Sequence, residues 1–381
     1  MKKRLIFFDN LRNFMIIAVI FGHATGAYQT FADWWFVLDK NKSFIFDIIG
    51  LTMEIFIIPI IYFISGYFIV PSLLKHGSGK FLQSRLKLFI IPWWVCVFFF
   101  NPIMPYLYCY TRLNCKNLGF FQYWLKYIGS FFDFHTGYIR GNNYFDHHHL
   151  WFISVLVVFI ISTAIIYKFF PKIFAYNTKS NKGSMIIVLP LFGIITSIFM
   201  SVIGCFLPFS KFVIILNIIE FQPFGIPLYI GFFILGIYAY KNEWFIKKNL
   251  PFNYGIWLIP CLIMSMIYLG VLKTENQLLE VSISLNFARS FSKSFTSLCY
   301  LCFFISLFQS KFNSQSKINQ KITQNSFDMY IVHMPVVVII QFYLSFFNLP
   351  ILLKFFIVFI SATFISYILS PNMRRNIYGY Q

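Results

Sequence analysis

Apolar residues run along this chain in long blocks separated by short polar breaks. A helix that spans a bilayer needs about 20 mostly apolar residues. About ten blocks meet that length, near 7–29, 45–70, 88–108, 151–170, 185–207, 224–241, 254–272, 294–310, 327–347 and 350–370. The pattern predicts an all-α, polytopic membrane protein of about ten transmembrane helices. It forms one integral-membrane domain over 1–381, with no internal repeat and no appended soluble domain. The last two blocks are joined by little more than Asn348-Leu349-Pro350 and should form a tight helical hairpin. The longest break, about 111–149, holds Trp124 and a His-rich end and has room for a short interfacial helix.

Composition agrees with the pattern. Hydrophobic residues make up 59% of the 381 and charged residues 11%, against roughly 45–50% and about 25% in soluble chains. Mean hydropathy is +0.71, more apolar surface than a soluble fold can cover. The lipid bilayer is therefore the first partner.

Net charge is +19, and its distribution orients the chain. With the N-terminus in the cytoplasm, the inside breaks hold Lys2, Lys3, Arg4 and Arg12, then Lys75, Lys80, Arg85 and Lys87. Lys168, Lys172, Lys179 and Lys182 follow, then Lys241, Lys247 and Lys248, Lys311, Lys317 and Lys321, and Arg374 and Arg375. Only Asp9, Glu243 and Asp328 share that side. The positive-inside rule then places both termini in the cytoplasm. Orientation accounts for the basic surplus, with a share left for an anionic ligand. No basic run is interleaved with exposed aromatics, which argues against nucleic acid.

Met1-Lys-Lys-Arg precedes an apolar run but no small-residue cleavage site follows, so a cleaved leader is not expected. Cys299 and Cys302 fall inside an apolar block and read as packing residues. Cys109 and Cys115 flank a break placed outside the cytoplasm, where a disulfide is open to them. Asp146 is followed by His147, His148 and His149, but three adjacent histidines cannot face one ion, and no metal site is expected.

Ionisable residues within spans are costly and so become candidate sites. Arg12 and His23 both fall in the first block, eleven positions apart. At about 100° per residue they share one helix face, separated by roughly 16 Å. That stripe carries a fixed cation near the cytoplasm and a titratable base farther out. Taken singly, Arg12 reads as a cation snorkelling beside Asp9, and His23 as a core histidine. Glu54, in the second block at a similar depth, could orient an imidazolium, bind sugar hydroxyls or serve a structural hydrogen bond. Ser65 and Gly66 suit close helix approach. Arg85 and Lys87 suit phosphate as well as positive-inside bias. Trp151 reads as an interface anchor and His149 could reach a pocket mouth. His333 lies two residues before Pro335, where a kink is expected.

These residues resemble the acyltransferase type 3 family of polytopic membrane enzymes. Phe8-Asp9-Asn10-Leu11-Arg12 through His23 is similar to that family's Arg-x10-His signature, and Ser65-Gly66-Tyr67-Phe68 to its second-helix signature. Lys80-Phe81 through Arg85 and Pro92 is similar to its basic loop and proline. Leu150-Trp151-Phe152, Gly231-Phe232-Phe233 with Gly236, and Tyr330 to Pro335 follow in the family's order, so the resemblance covers nearly the whole chain. Where the family often has Arg-x-x-Arg, Arg85 is here followed at that spacing by Leu88, and Lys87 is the nearest second cation. The hydrolase-like domain fused in some members is absent. The look is closest to the branch of glucan-modifying succinyltransferases.

The resemblance implies transfer of an acyl group, acetyl or succinyl, from cytoplasmic acyl-CoA to a hydroxyl of a cell-envelope glycan or lipid-linked sugar. It implies a multi-pass protein of the inner, cytoplasmic membrane, with acyl-CoA as donor substrate and no metal. Arg12, Arg85 and Lys87 would hold the donor's phosphates. His23 would be the catalytic base or carry the acyl group covalently, and Glu54 would assist it. Ser65, Tyr67, His149, Trp151 and His333 would meet substrate. The rival class is a proton-coupled transporter or flippase, which intramembrane Arg, His and Glu would also suit. No paired Gly/Pro-broken helices in matching halves support it.

Overall fold

The structure is a computed structural model describing residues 4–113, 115–141, 144–175, 183–245, 253–275 and 282–376. Lys2, Lys3, Lys179, Lys182, Lys247 and Lys248, used above for orientation, lie outside the described residues. The helices are α1 (Ile6–Ala24), α2 (Phe44–Val95), α3 (Ile103–Arg112), α4 (Phe120–Phe131), α5 (Trp151–Phe169), α6 (Gly183–Phe206), α7 (Ile226–Lys241), α8 (Tyr254–Glu275), α9 (Ile283–Lys311), α10 (Lys317–Leu344) and α11 (Ile351–Asn376). Helix is the form that meets every backbone hydrogen bond within one segment, which hydrocarbon demands.

Among the described residues, nine helical stretches are long and apolar enough to cross a membrane. The expectation was about ten. The difference lies in Phe44–Arg112, a single stretch of 69 residues that contains both the 45–70 and 88–108 blocks. It folds back at Gly77, whose φ of 70° is left-handed and favours glycine. Two contacts show the reversal. The Tyr62 hydroxyl donates to the Phe152 carbonyl at 3.2 Å. The Trp93 ring meets the His147 ring at 4.9 Å. Residues on opposite sides of Gly77 thus reach the same end of α5, so α2 is two antiparallel arms. Arg85 also donates to Ser72 across thirteen residues, at 3.2 Å. A straight helix would hold those residues roughly 20 Å apart.

α9 starts eleven residues before the expected 294, and α10 ten before 327. Both N-terminal extensions are polar, so a search for apolar blocks stops short of them. α1, α2, α7, α9 and α10 make the core. α6, α8 and α11 turn Ile187, Phe199, Ile259, Met266, Ile360 and Phe364 outward, as lipid-facing helices do. α2 and α7 cross with backbones in contact. A Cβ on Gly66 would lie 2.0 Å from the Phe233 carbonyl oxygen, and one on Gly236 2.1 Å from that of Phe63.

One end of the bundle carries a three-stranded antiparallel sheet, β1 (Gly137–Tyr138), β2 (Val213–Ile215) and β3 (Ile219–Phe221), in the order β1-β2-β3. At this sheet end a disulfide joins Cys109 to Cys115. α4 supplies the expected interfacial helix, burying Tyr123, Tyr127 and Phe131 on one side. At the opposite, basic end, Asn10 donates to the carbonyls of Phe312 (2.7 Å) and Ser314 (2.9 Å), and Asn13 to the Thr323 hydroxyl (2.8 Å). These bonds fasten the start of α1 to the α9–α10 turn.

Candidate functional site

α1 is continuous from Ile6 to Ala24, so Arg12 and His23 do lie on one helix face. Arg12 pairs with Asp9 at 3.4 Å, and Asp9 with Arg4 at 2.7 Å. The fold-back at Gly77 brings Arg85 from the second arm of α2 into the electrostatic neighbourhood of Arg12. Arg85 is braced by Ser72 and by the Phe81 ring, 5.7 Å from its guanidinium. Lys87 is exposed and has no ion pair or hydrogen bond among the described residues. Arg12 and Arg85 thus lie together at the basic end, with Arg4 joined to Arg12 through Asp9 and Lys87 exposed two residues beyond Arg85.

The other end of α1 is a cluster of aromatic and imidazole rings. His23 stacks on Trp35 (5.8 Å between centroids) and on His333 (5.2 Å). His149 meets His333 edge-on at 5.0 Å. Trp35 is fixed by its indole N–H, which donates to Gln341 Oε1 at 2.8 Å, while the Gln341 amide donates to the Ala24 carbonyl at 3.1 Å. Three histidines, from α1, the turn before α5 and α10, thus share one site, in which His149 and His333 are buried and His23 is half-buried.

Local backbone chemistry sets their tautomers. Pro335 has no amide hydrogen, so the Ile331 carbonyl, four residues earlier, loses its helix partner. That carbonyl accepts from His149 Nε2 at 3.0 Å and from Cys96 Sγ at 3.1 Å. His333 Nδ1 donates to the Tyr330 carbonyl at 2.6 Å, and the Tyr330 hydroxyl donates to the His149 carbonyl at 2.5 Å. A carbonyl only accepts, so His149 carries its proton on Nε2 and His333 on Nδ1. The remaining nitrogens, His149 Nδ1 and His333 Nε2, are buried lone pairs without a partner among the described residues. An unmet buried acceptor costs about 1–3 kcal/mol, and a bound hydroxyl would relieve it. The His23 ring has no hydrogen bond among the described residues.

Four candidates stand elsewhere. Glu54 does not touch His23; it pairs with the buried ammonium of Lys293 at 3.4 Å, which would otherwise be an uncompensated charge. Ser65 donates to the Ile61 carbonyl at 2.8 Å within its own helix, beside the Gly66–Gly236 crossing. Tyr67 packs among Phe8, Phe68, Tyr240 and Phe245, toward the basic end. Trp151 packs on Phe212 and Tyr229. The sequence reading missed Trp35, Gln341 and Lys293. Pro335 was the available signal for the Ile331 carbonyl that orients His149.

Behind the histidines the wall at the sheet end is also polar. His147 donates its backbone N–H to Glu220 Oε2 at 2.9 Å, and the Asn101 amide donates to the His147 carbonyl at 2.9 Å. Burial, then the neighbouring Asp146 charge, pushes the Glu220 carboxyl well above its ordinary range. Burial lowers the His147 imidazole to about 4. Among the described residues no group of three His, Cys, Asp or Glu is arranged to hold a metal ion.

Residues 5–371 match the Acyl_transf_3 family model, an acyltransferase domain. No curated protein and no solved structure matches the chain.

Proposed function

The chain belongs to the acyltransferase family of that model and is a membrane acyltransferase. On that premise we propose that it moves an acetyl or succinyl group from cytoplasmic acyl-CoA to a hydroxyl of a cell-envelope glycan or lipid-linked sugar. The observation that carries this reading is the setting of α1, whose Arg12 meets Arg85 of α2 near one end and whose His23 meets His333 and His149 near the other. Acyl-CoA is a polyanion with a long pantetheine arm. Arg12 and Arg85 offer planar donor forks for its phosphates. The arm then runs along the α1 stripe and brings the thioester to His23, roughly 16 Å away.

In this reading neighbouring hydroxyls of the acceptor donate to the buried lone pairs of His149 Nδ1 and His333 Nε2, which leaves the proton of the reacting hydroxyl to His23. His23 takes the hydroxyl proton as the oxygen attacks the thioester carbonyl. The tetrahedral adduct expels the CoA thiolate, which takes the proton back from the imidazolium, and the ester remains on the acceptor. Both termini and the guanidinium pair face the cytoplasm of the inner membrane, where acyl-CoA is made. The acceptor enters from the opposite side.

Purified protein in nanodiscs, given acetyl-CoA or succinyl-CoA labelled in the acyl group, should release label from CoA to an added glycoside or to water. Label that stays on CoA, with solute-driven proton entry into sealed proteoliposomes, would establish the transporter reading instead.

A further inference from the structure

α9 is an unusual spanning helix. Its buried residues include Asn286, Arg289, Ser290, Ser292, Lys293, Ser294, Thr296 and Ser297. Most of these are internally satisfied. Ser297 donates to the Ile55 carbonyl at 2.7 Å, tying α9 to α2, and Ser294 lies 2.5 Å from the Thr196 hydroxyl on α6. Such bonds are helix-to-helix glue.

The two buried cations of α9, one turn apart, have different surroundings. Arg289 is closed in. It pairs with Glu275 at 2.9 Å, both side chains being no more than 3% exposed, and donates to Asn286 at 2.8 Å. Its guanidinium lies between the Phe209 and Phe224 rings, at 4.4 and 4.6 Å. That is a closed structural pair, two of its donors being placed and its Nε meeting no hydrogen-bond partner among the described residues. Lys293 is equally buried, with its side chain 4% exposed, but has one distant partner, Glu54 at 3.4 Å. An ammonium has three donors to place. The Glu54 side chain is 55% exposed within a spanning helix. Hydrocarbon would not tolerate a bare carboxylate there, so this opening faces water or a polar ligand.

The opening lies level with the end of α1 that carries His23, because Met53 Cβ is 3.2 Å from where a Cβ on Gly22 would be. Tyr229 and Tyr268 are electrostatic neighbours of Glu54, and neither hydroxyl has a hydrogen-bond partner among the described residues. Trp151, half-buried, packs on Tyr229 at 5.6 Å. From Tyr229 a run of ring contacts leads through Tyr62 (5.4 Å), Phe152 (4.6 Å) and Tyr330 (5.9 Å) to the histidines.

We propose that Glu54, Lys293, Tyr229 and Tyr268, flanked by Trp151, form a subsite for a neutral sugar ring of the acceptor. This assignment rests on the acyltransferase reading above. The site offers a carboxylate that accepts from hydroxyls, an ammonium and two phenols that donate, and an indole that can cover an apolar sugar face. An anion would meet the Glu54 charge and a cation the Lys293 charge, whereas an uncharged polyol satisfies both. The family's motifs do not include Lys293, and the sequence reading had left Glu54 open between orienting an imidazolium, binding sugar hydroxyls and a structural hydrogen bond.

The test uses the full-length protein in nanodiscs and octyl β-glucoside as probe, below its micellar concentration. Saturable binding of the labelled probe is measured after subtraction of empty nanodiscs. The parent and His23→Ala should bind it. Glu54→Gln and Lys293→Met should each weaken binding about tenfold or more, the scale of one charged hydrogen bond. Acetyl-CoA affinity should stay with the parent. Tyr229→Phe, which removes a single oxygen, should weaken the probe by a smaller factor and carries the test if Lys293→Met fails to fold. Absence of saturable binding, or unchanged binding in Glu54→Gln and Tyr229→Phe, would overturn the subsite. Displacement by octyl phosphate as readily as by octyl galactoside would mark an anion site and overturn the sugar assignment. Failure of label to leave CoA in the parent, with glucoside binding intact, would sink the acyltransfer premise and leave the polyol site standing.

Discussion

Arg12 and His23 occupy one face of α1 at different depths, so their substitutions should separate binding from chemistry. His23→Ala is expected to keep acyl-CoA affinity and lose roughly 10²–10⁴ in single-turnover transfer, the contribution of a positioned base. Arg12→Lys keeps the charge and loses the planar fork, and should weaken acyl-CoA binding by about 1.5–3 kcal/mol. A binding isotherm and a single-turnover rate for each variant decide this; parental values for both would return the pair to structural roles. This pair was legible in sequence because eleven residues close three helical turns. The partners of His23 were not. His149 and His333 come from breaks and blocks far apart in the chain, and the Ile331 carbonyl that aims His149 is freed by Pro335, on the same helix as His333. Acidity at the wall of the sheet end gives a second prediction. Folded Glu220 holds its proton above the ordinary 4.5, so its contribution is full below that pH and is lost as pH rises toward the folded value. His147 works oppositely. Its folded value of about 4 lies below 6.5, so its contribution is present above 6.5 and is lost as pH falls toward 4. Glu220→Gln should therefore flatten the decline in thermal midpoint on raising pH and leave the acid limb in place. A midpoint profile unchanged by Glu220→Gln would show that the carboxyl is ionised in the fold.

At the scale of elements, the crossing of α2 and α7 is set by two glycines from separate motifs. Gly66 meets the Phe233 carbonyl and Gly236 the Phe63 carbonyl, at distances no Cβ can share. Gly66→Ala and Gly236→Ala should each force the helices apart and cost about 1–3 kcal/mol, the range for overpacking. Gly79 has nothing within 4 Å of a built Cβ, and Gly79→Ala should be neutral or slightly stabilising. Thermal unfolding in detergent checks all three; equal midpoints for Gly66→Ala and Gly79→Ala would remove the close crossing. Gly66 was readable as a packing residue from sequence and Gly236 only as part of the family resemblance, while Ser65 turns out to bond within its own helix. Most of the ten apolar blocks correspond to helices because hydrocarbon imposes both length and composition. Their polar ends were less legible. The turn of α9 that holds Arg289 and Lys293 falls outside any apolar window, yet it is buried by α6, α8 and the residues around Phe209 and Phe224.

The whole molecule sorts its connections into two groups, and the orientation follows from joining them. The start of α1, the Gly77 turn and the α9–α10 turn lie together, through Asn10 and Asn13 on one side and Arg12 beside Arg85 on the other. The opposite group holds the Cys109–Cys115 disulfide, α4 and the sheet, in which residues from 137–138 pair with those from 213–215. Lys354 joins this second group by an ion pair with Asp39 at 2.6 Å, which seats the start of α11 beside the segment that follows α1. Among the described residues, nine stretches long and apolar enough to span, one of them doubled at Gly77, would make an even number of crossings and return the chain to the side on which it starts. The basic breaks lie in the first group and the disulfide in the second, so positive-inside bias and compartment redox agree on the assignment. In a Cys205→Ser background, which removes the exposed free thiol, Lys126→Cys should react with a membrane-impermeant maleimide in intact cells. Lys80→Cys and Lys317→Cys, at exposed positions of the basic end, should react only after lysis. The reverse pattern would put the Arg12–Arg85 pair outside, away from the cytoplasmic pool of acyl-CoA. The donor and acceptor ends of α1 would then have to be exchanged.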